Sequence, residues 1–232
     1  MINNLNNMKS KTFEYLNTKK INWIKQVFSN KEIYNSNEFL LKKLDKIFCE
    51  IESSSNKEIW LEKLKLPETD KLSSDYSSKD MEQTNPLFDI FTEAFAIDEF
   101  SKKHGIDKIE IIRRSGHPTP DFKINDKIAV EVKNIHSPRN EEIIIDKKFI
   151  ESSGSPDDFY IPLLNKIHYA CCKAYNQFKN YKTYKKMLVL NYSGSFSSLA
   201  QGKRTLDQIF KKNIWSDLSK QYQFKIYRRK YY

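Results

Sequence analysis

The chain has 232 residues, a formal net charge of +10, 39% hydrophobic residues and 13% aromatic residues. This composition excludes an intrinsically disordered chain and suits one domain, or one domain with an appendage. No run approaches the roughly 18 apolar residues of a membrane span, and the N-terminus lacks the apolar stretch of a secretory signal. The three cysteines form neither a disulfide framework nor a zinc motif, so we expect reduced thiols in a cytoplasmic protein without a membrane partner.

Residues 1–85 are predicted to be a helical N-terminal region that ends in a linker. Apolar residues recur at helical spacing between Leu40 and Ile51, and Asn35 is the predicted N-cap of that helix. Flanking helices are expected over 10–28 and 56–65. The polar, serine-rich segment 66–86 is predicted to be an exposed loop.

Residues 86–232 are predicted to be an α/β domain. Its first helix is expected to start near Pro86 and to stop at Gly105. A tight turn is predicted at Asn125–Asp126, between two of the strands. The remaining predicted elements are strands over 108–114, 121–124 and 127–135, a helix over 161–180, a strand over 185–192, a helix over 205–221 and a strand over 224–229. This order favours a central mixed β-sheet flanked by helices.

The positive charge is concentrated in the last third of the chain. Residues 161–232 hold fifteen lysines and arginines against two aspartates, a local net charge of +13. No acidic residue lies between Asp158 and Asp207. Such a segment attracts polyanions, and its C-terminal QYQFKIYRRKYY mixes cations with aromatic rings, which suits nucleic acid. A solvated lysine-rich surface is the alternative interpretation.

The segment TPDFKINDKIAVEVKN, residues 119–134, carries the candidate chemistry. Because side chains alternate along a strand, Glu131 and Lys133 share one face, opposite the apolar residues Ile128, Val130 and Val132. Charges on a central strand are costly without a partner or a metal. Asp121 begins the neighbouring strand. Two converging carboxylates would make a hard oxygen site suited to Mg²⁺ or Mn²⁺.

Pro120-Asp121, a spacer and Glu131-Val132-Lys133 together resemble the PD-(D/E)XK signature of the restriction-endonuclease-like nucleases. The resemblance covers about residues 86–192. It implies a restriction-endonuclease-like core over 86–232 and a Mg²⁺-dependent endonuclease that accepts Mn²⁺. In such a site the metal, held by Asp121 and Glu131 with help from the Val132 carbonyl, polarises the phosphate and activates a water that Lys133 positions.

Some members of this family add a metal-binding glutamate from the first core helix, and Glu93 matches that place. The helix is apolar nearly all round, so an acid within it needs a partner, and a metal is one candidate. By periodicity alone Asp98 has a similar claim. The resemblance favours Glu93.

The resemblance also implies a polar residue near the phosphate on the helix after the ExK strand, where Lys173 and Gln177 lie on one face. Lys203 and Arg204 are further candidates for phosphate contacts. The resemblance favours DNA as the substrate and a restriction or defence role, and palindrome recognition would require a homodimer. The alternatives are an RNA-cleaving toxin-type nuclease, a non-catalytic binder on the same fold, and an ordinary exposed hairpin with solvated charges.

Overall fold

The computed structural model describes residues 8–18, 28–64, 78–113, 116–136, 157–193, 219–223 and 225–228. The chain divides into two compact units. The first unit comprises residues 1–114 together with 122–125, and the second comprises residues 115–121 together with 126–232. Within the described ranges, no helix combines the length and apolar character needed to cross a membrane.

The first unit is mainly helical and includes one antiparallel strand pair. Ile109 pairs with Ile124 and Ile111 pairs with Phe122 in that strand pair. Its elements in chain order are α1 (Lys11–Thr18), α2 (Lys31–Glu52), α3 (Lys57–Lys63), α4 (Ser78–His104), a 3₁₀ turn (Ile106–Lys108), β1 (Ile109–Ile111) and β2 (Phe122–Ile124).

Two carboxylates of α2 cap the start of α1. The first backbone N–H groups of a helix have no partner within the helix. Here Asp45 accepts hydrogen bonds from the amides of Lys9 and Ser10 at 2.9–3.0 Å. Glu52 accepts from the amides of Lys11 and Thr12 at 2.9 and 2.7 Å. Negative charge at this end also complements the helix dipole, so α2 fixes the position of α1.

An aromatic cluster joins the N-terminal helices to α4. Phe48 of α2 packs edge-on against Phe13 of α1, with ring centroids 5.2 Å apart. It also contacts Trp60 of α3 and Phe91 of α4, at 5.9 and 6.2 Å. All four side chains are buried. The boundary predicted after residue 85 therefore falls inside α4, a helix whose Phe91 shares a core with the N-terminal helices.

Asn56, between α2 and α3, substitutes for a strand partner at the edge of β1. Its side-chain amide donates to the Ile109 carbonyl and its side-chain oxygen accepts from the Ile111 amide, both at 2.8 Å. Asn56 is buried, so these bonds satisfy backbone groups that water does not reach. The α2–α3 junction is thereby fixed to the strand.

The second unit contains a parallel strand trio and one long helix. In the trio, Glu131 of β3 is paired with Leu188 of β4, which is paired with Ile226 of β5. The buried residues of the helix, among them Ile167, Ala170 and Ala174, follow helical spacing. The elements are β3 (Ile128–His136), α5 (Asp157–Gln177), β4 (Lys185–Ser193) and β5 (Lys225–Arg228). Helix and strand together make the chain an α/β protein, with antiparallel pairing in one unit and parallel pairing in the other.

Most predicted elements are confirmed, and two predicted boundaries are wrong. α4 begins at Ser78 rather than near Pro86, so Pro86 lies within the helix, and the exposed loop predicted over 66–86 is wrong from residue 78 onward. α2 begins at Lys31, and Asn30, not Asn35, caps it by accepting from the Glu32 amide at 2.9 Å. Most of the helix predicted over 205–221 lies outside the described residues.

Two predicted turns are confirmed by their backbone geometry. Asn125 and Asp126 both have positive φ, 52° and 51°, as a tight hairpin turn requires. Gly105 ends α4 with φ 88°, and its amide donates to the Ser101 carbonyl at 2.7 Å. Any other residue would be strained at this positive φ, and a Cβ would also lie 2.5 Å from the Oδ1 atom of Asp107, so glycine is favoured there.

Candidate active site on β3

Glu131 lies in the middle of β3 with only 1% of its surface exposed. Ala129 on the same face and Val130 on the other are fully buried, so both faces of the strand are covered here. Of the residues expected to face the core, Val130 is confirmed, whereas Ile128 and Val132 are only half-buried. The alternative of an exposed hairpin with a solvated Glu131 is therefore wrong.

Lys133 supplies the charge that balances this buried carboxylate. Its ammonium group donates a hydrogen bond to Oε1 of Glu131. The Lys133 side chain remains 24% exposed. A buried carboxylate is costly unless it is paired, so the two-residue spacing that places both side chains on one face matters energetically. The pair joins a buried acid to a cation that solvent reaches.

Asp121 lies directly against the segment that carries this pair. Its amide donates to the Val130 carbonyl at 3.0 Å, so residue 121 runs beside β3. Its Oδ2 accepts a hydrogen bond at 2.8 Å from the amide of Val132, the residue between Glu131 and Lys133. The structure thus brings together the three residues that the sequence singled out in this segment.

These groups fit a small, hard cation. Oxygen ligands such as the carboxylates of Asp121 and Glu131 suit Mg²⁺, which commonly uses one or two carboxylates and completes its shell with water or substrate phosphate. Across the described ranges, no group of three or more His, Cys, Asp and Glu side chains is placed to hold a metal.

Glu93 is buried in α4, as its apolar surroundings predicted, and it pairs with a lysine of the same unit. Nζ of Lys63 lies 2.5 Å from Oε1 of Glu93, and both side chains are buried. The partner that an acid in this helix needs is thus supplied by α3. A role for Glu93 as a metal ligand stays a prediction.

Lys63 was not found by sequence reasoning, although a local signal existed. It lies three residues after Trp60 in KEIWLEK and therefore shares the buried face of α3 with that tryptophan. Asp98, the other candidate acid of α4, is also buried and pairs with Lys102 one turn later, at 2.6 Å. The two candidate acids of α4, Glu93 and Asp98, therefore both have lysine partners.

Two of the four predicted substrate-binding residues lie within the described ranges. Lys173 is exposed and Gln177 is half-buried, both on α5. Lys203 and Arg204 lie outside the described residues. Roles for these four residues in binding phosphate stay predictions.

A pair of asparagines follows the candidate residues along the parallel strands. Asn134 and Asn191 are in register, and Nδ2 of Asn191 donates to Oδ1 of Asn134 at 2.9 Å. Asn134 immediately follows Lys133, so this amide pair helps fix the register of β3 against β4 beside the candidate site. Sequence reasoning missed it because two asparagines 57 positions apart give no local signal.

Comparisons with protein-family models, with curated proteins and with solved structures found no match for this chain.

Proposed function

We propose that this protein is a metal-dependent nuclease that hydrolyses phosphodiester bonds, with its active site at Asp121, Glu131 and Lys133. One observation carries the proposal: a carboxylate that is 1% exposed is held beside a solvent-accessible lysine on a covered strand, and Asp121 is bonded to the peptide between them. Carboxylates can hold a divalent metal ion, and a neighbouring cation can balance the charge that develops on the phosphate, so these residues suit metal-assisted phosphodiester hydrolysis.

The order of elements supports a restriction-endonuclease-like core. The chain runs through a long helix, three strands, a second long helix and a further strand, from α4 to β4. The PD-(D/E)XK-like residues fall where that order requires them, before β2 and within β3. Short motifs alone are weak evidence, and their position on these elements strengthens the assignment.

In the proposed mechanism, Asp121 and Glu131 would hold Mg²⁺, with Mn²⁺ as a substitute, and the Val132 carbonyl would be a further ligand. When bound, the ion supplies Lewis acidity to the phosphate and acidity to a water molecule. Lys133 orients the attacking water and balances the negative charge that develops on the phosphate. The Asp121–Val132 hydrogen bond keeps the first carboxylate oriented while the second stays fixed by Lys133.

We propose DNA as the substrate and a restriction or defence role, because the signature resembles nucleases of that kind. The acid-free stretch between Asp158 and Asp207 supplies an attractive potential for the phosphate backbone. Cytoplasmic location and assembly as a homodimer remain parts of this proposal.

The proposal is tested by incubating the purified protein with supercoiled plasmid, single-stranded DNA and structured RNA, in Mg²⁺, Mn²⁺ or EDTA. Cutting that requires a metal and is lost in Glu131→Ala and Lys133→Ala supports the proposal. The substrate that is cut distinguishes DNA from RNA, and discrete plasmid fragments indicate sequence specificity.

The second candidate is a non-catalytic nucleic-acid binder, which the same acid-free basic stretch favours. Such a protein would bind DNA or RNA in EDTA with a strong dependence on salt, and its affinity would not depend on Glu131. Binding without cutting, in every metal and on every substrate, would favour this candidate over the nuclease.

A further inference from the structure

Two tyrosines of α5 are exposed, and one of them lies beside a lysine. Tyr169 exposes 63% of its surface and Tyr175 exposes 45%, although large aromatic side chains are usually well buried. Nζ of Lys173 lies 4.5 Å from the centroid of the Tyr169 ring, a cation–π contact. We call the exposed arc of α5 that carries Tyr169, Lys173 and Tyr175 the α5 tyrosine face.

A third tyrosine contacts one of these two tyrosines. Tyr222, in the helical residues 219–222, meets the ring of Tyr175 with centroids 6.3 Å apart. Its hydroxyl lies 3.3 Å from Nδ1 of His168 and 3.2 Å from Sγ of Cys172, both on α5. Because these contacts restrict the rings, Tyr175 would lose little conformational entropy on binding a ligand.

The α5 tyrosine face lies within the acid-free stretch of the chain. Lys173, Lys179 and Lys182 are exposed along α5 and the turn that follows it, and no acidic residue occurs between Asp158 and Asp207. Aromatic rings next to cations, without carboxylates in the same segment, suit a ligand that offers flat rings and negative charge together. A nucleic-acid strand has both, in its bases and its phosphates.

We propose that the α5 tyrosine face binds single-stranded nucleic acid, with bases stacked on Tyr169 and Tyr175 and with Lys173 near the phosphates. Tyr169 and Tyr175 are separated by about 9 Å along the helix axis and about 120° around it, so a strand that crosses α5 obliquely would meet them with different bases. A single strand is favoured over a duplex because its bases are free to stack on protein side chains. The choice of nucleic acid rests on the proposed function, to which this adds a position on α5 where a single-stranded stretch of the substrate would bind.

The proposal is tested by fluorescence anisotropy with labelled oligothymidylate, oligouridylate and a DNA duplex, all in EDTA so that no cutting occurs. Tyr169→Ala and Tyr175→Ala are each expected to weaken single-strand binding by about fivefold or more, the loss of one stacked base. Tyr169→Phe retains the ring and is expected to bind like wild type. Lys173→Gln is expected to make the affinity less dependent on salt.

Phe39 provides a matched control, since it is an aromatic residue with 84% exposure on a helix of the other unit. Phe39→Ala is expected to leave the affinity unchanged. Unchanged single-strand binding in both Tyr→Ala variants would overturn the proposal, as would the absence of binding to either oligonucleotide by the wild type.

Comparing binding with metal-dependent cutting distinguishes failure of this proposal from failure of the proposed nuclease activity. If wild type binds single strands through the two tyrosines yet never cuts in any metal, the α5 tyrosine face stands and the proposed catalysis fails. If the wild type cuts and the Tyr→Ala substitutions do not change binding, the proposed catalysis is supported and the proposed role of the α5 tyrosine face is wrong.

Discussion

Lys133 donates a hydrogen bond to Glu131 from two positions further along the same strand, and the carboxylate that accepts it is 1% exposed. A strand places residues two apart on one face, so the sequence ExK suffices to bring this pair together. Asp121 reaches the peptide between them from the neighbouring segment, at 2.8 Å. A charge this deeply covered has a cost, and the proposed chemistry gives a reason for it.

Two substitutions at Asp121 distinguish its structural role from its proposed chemical role. In Asp121→Asn the side-chain oxygen can still accept from the Val132 amide, so we expect a thermal midpoint close to wild type. Metal-dependent cutting should fall by about 100-fold or more, since the amide lacks the charge that a hard cation prefers. Asp121→Ala loses the hydrogen bond as well and should be less stable than Asp121→Asn. An Asp121→Asn variant that cuts like wild type would exclude Asp121 from metal binding.

The buried Lys63–Glu93 pair should matter for stability. Lys63→Met leaves the Glu93 charge buried without its lysine, which costs about 3–5 kcal/mol of unfolding free energy. The double variant Lys63→Met with Glu93→Leu removes both charges and should recover most of that loss. Urea unfolding measures the unfolding free energy of the single and the double variant. The exposed pair Lys42–Glu38 gives the control, and Lys42→Met should leave the midpoint unchanged. A Lys63→Met variant as stable as wild type would contradict the assigned pairing.

Asn56 should be intolerant of substitution because it satisfies two backbone groups of β1. Asn56→Ala leaves the Ile109 carbonyl and the Ile111 amide without this partner, and we expect a loss of about 1–3 kcal/mol in unfolding free energy. Asn56→Asp places a carboxylate against the Ile109 carbonyl and should also destabilise. The exposed Asn35 serves as control, and its change to alanine should be nearly neutral. Equal effects at the two positions would rule out the bridging role.

The cysteines should differ sharply in reactivity. Burial, with a smaller effect of the neighbouring Cys172, raises the pKa of the Cys171 thiol from 9.0 to about 12. Iodoacetamide at mildly alkaline pH should therefore modify the exposed Cys172 well before Cys171, as followed by peptide mass spectrometry. Early modification of Cys171 in the folded protein would contradict its burial.

The raised pKa of Cys171 makes the stability of the fold depend on pH in the alkaline range. Above pH 9 the unfolded chain releases the Cys171 proton, whereas the folded chain holds it until about pH 12. The contribution of Cys171 to stability is therefore fully present below pH 9 and declines as the pH rises towards 12. Cys171→Ala should reduce the alkaline loss of stability, measured by denaturant unfolding over a pH series. An identical loss in wild type and variant would exclude this linkage.

Local patterns were sufficient to predict the elements and the residues of the candidate site. Alternation along β3 identified Glu131 and Lys133, and the turn at Asn125–Asp126 followed from residue types that accept positive φ. Long-range pairings could not be predicted in this way. Lys63 meets Glu93 from 30 positions away, and Tyr222 meets His168 from 54 positions away. Such contacts depend on how helices pack, which no local periodicity encodes.

The most direct test of the central claim is the rate of Mg²⁺-dependent phosphodiester cleavage by wild type and by Glu131→Gln, prepared and assayed side by side on the preferred substrate. Glutamine keeps the shape of the side chain and removes its charge. We expect the variant to fold and to bind nucleic acid while its cleavage rate falls by about 100-fold or more, a loss typical for removal of one electrostatic catalytic group. Cleavage by Glu131→Gln at the wild-type rate would contradict the assignment of this site.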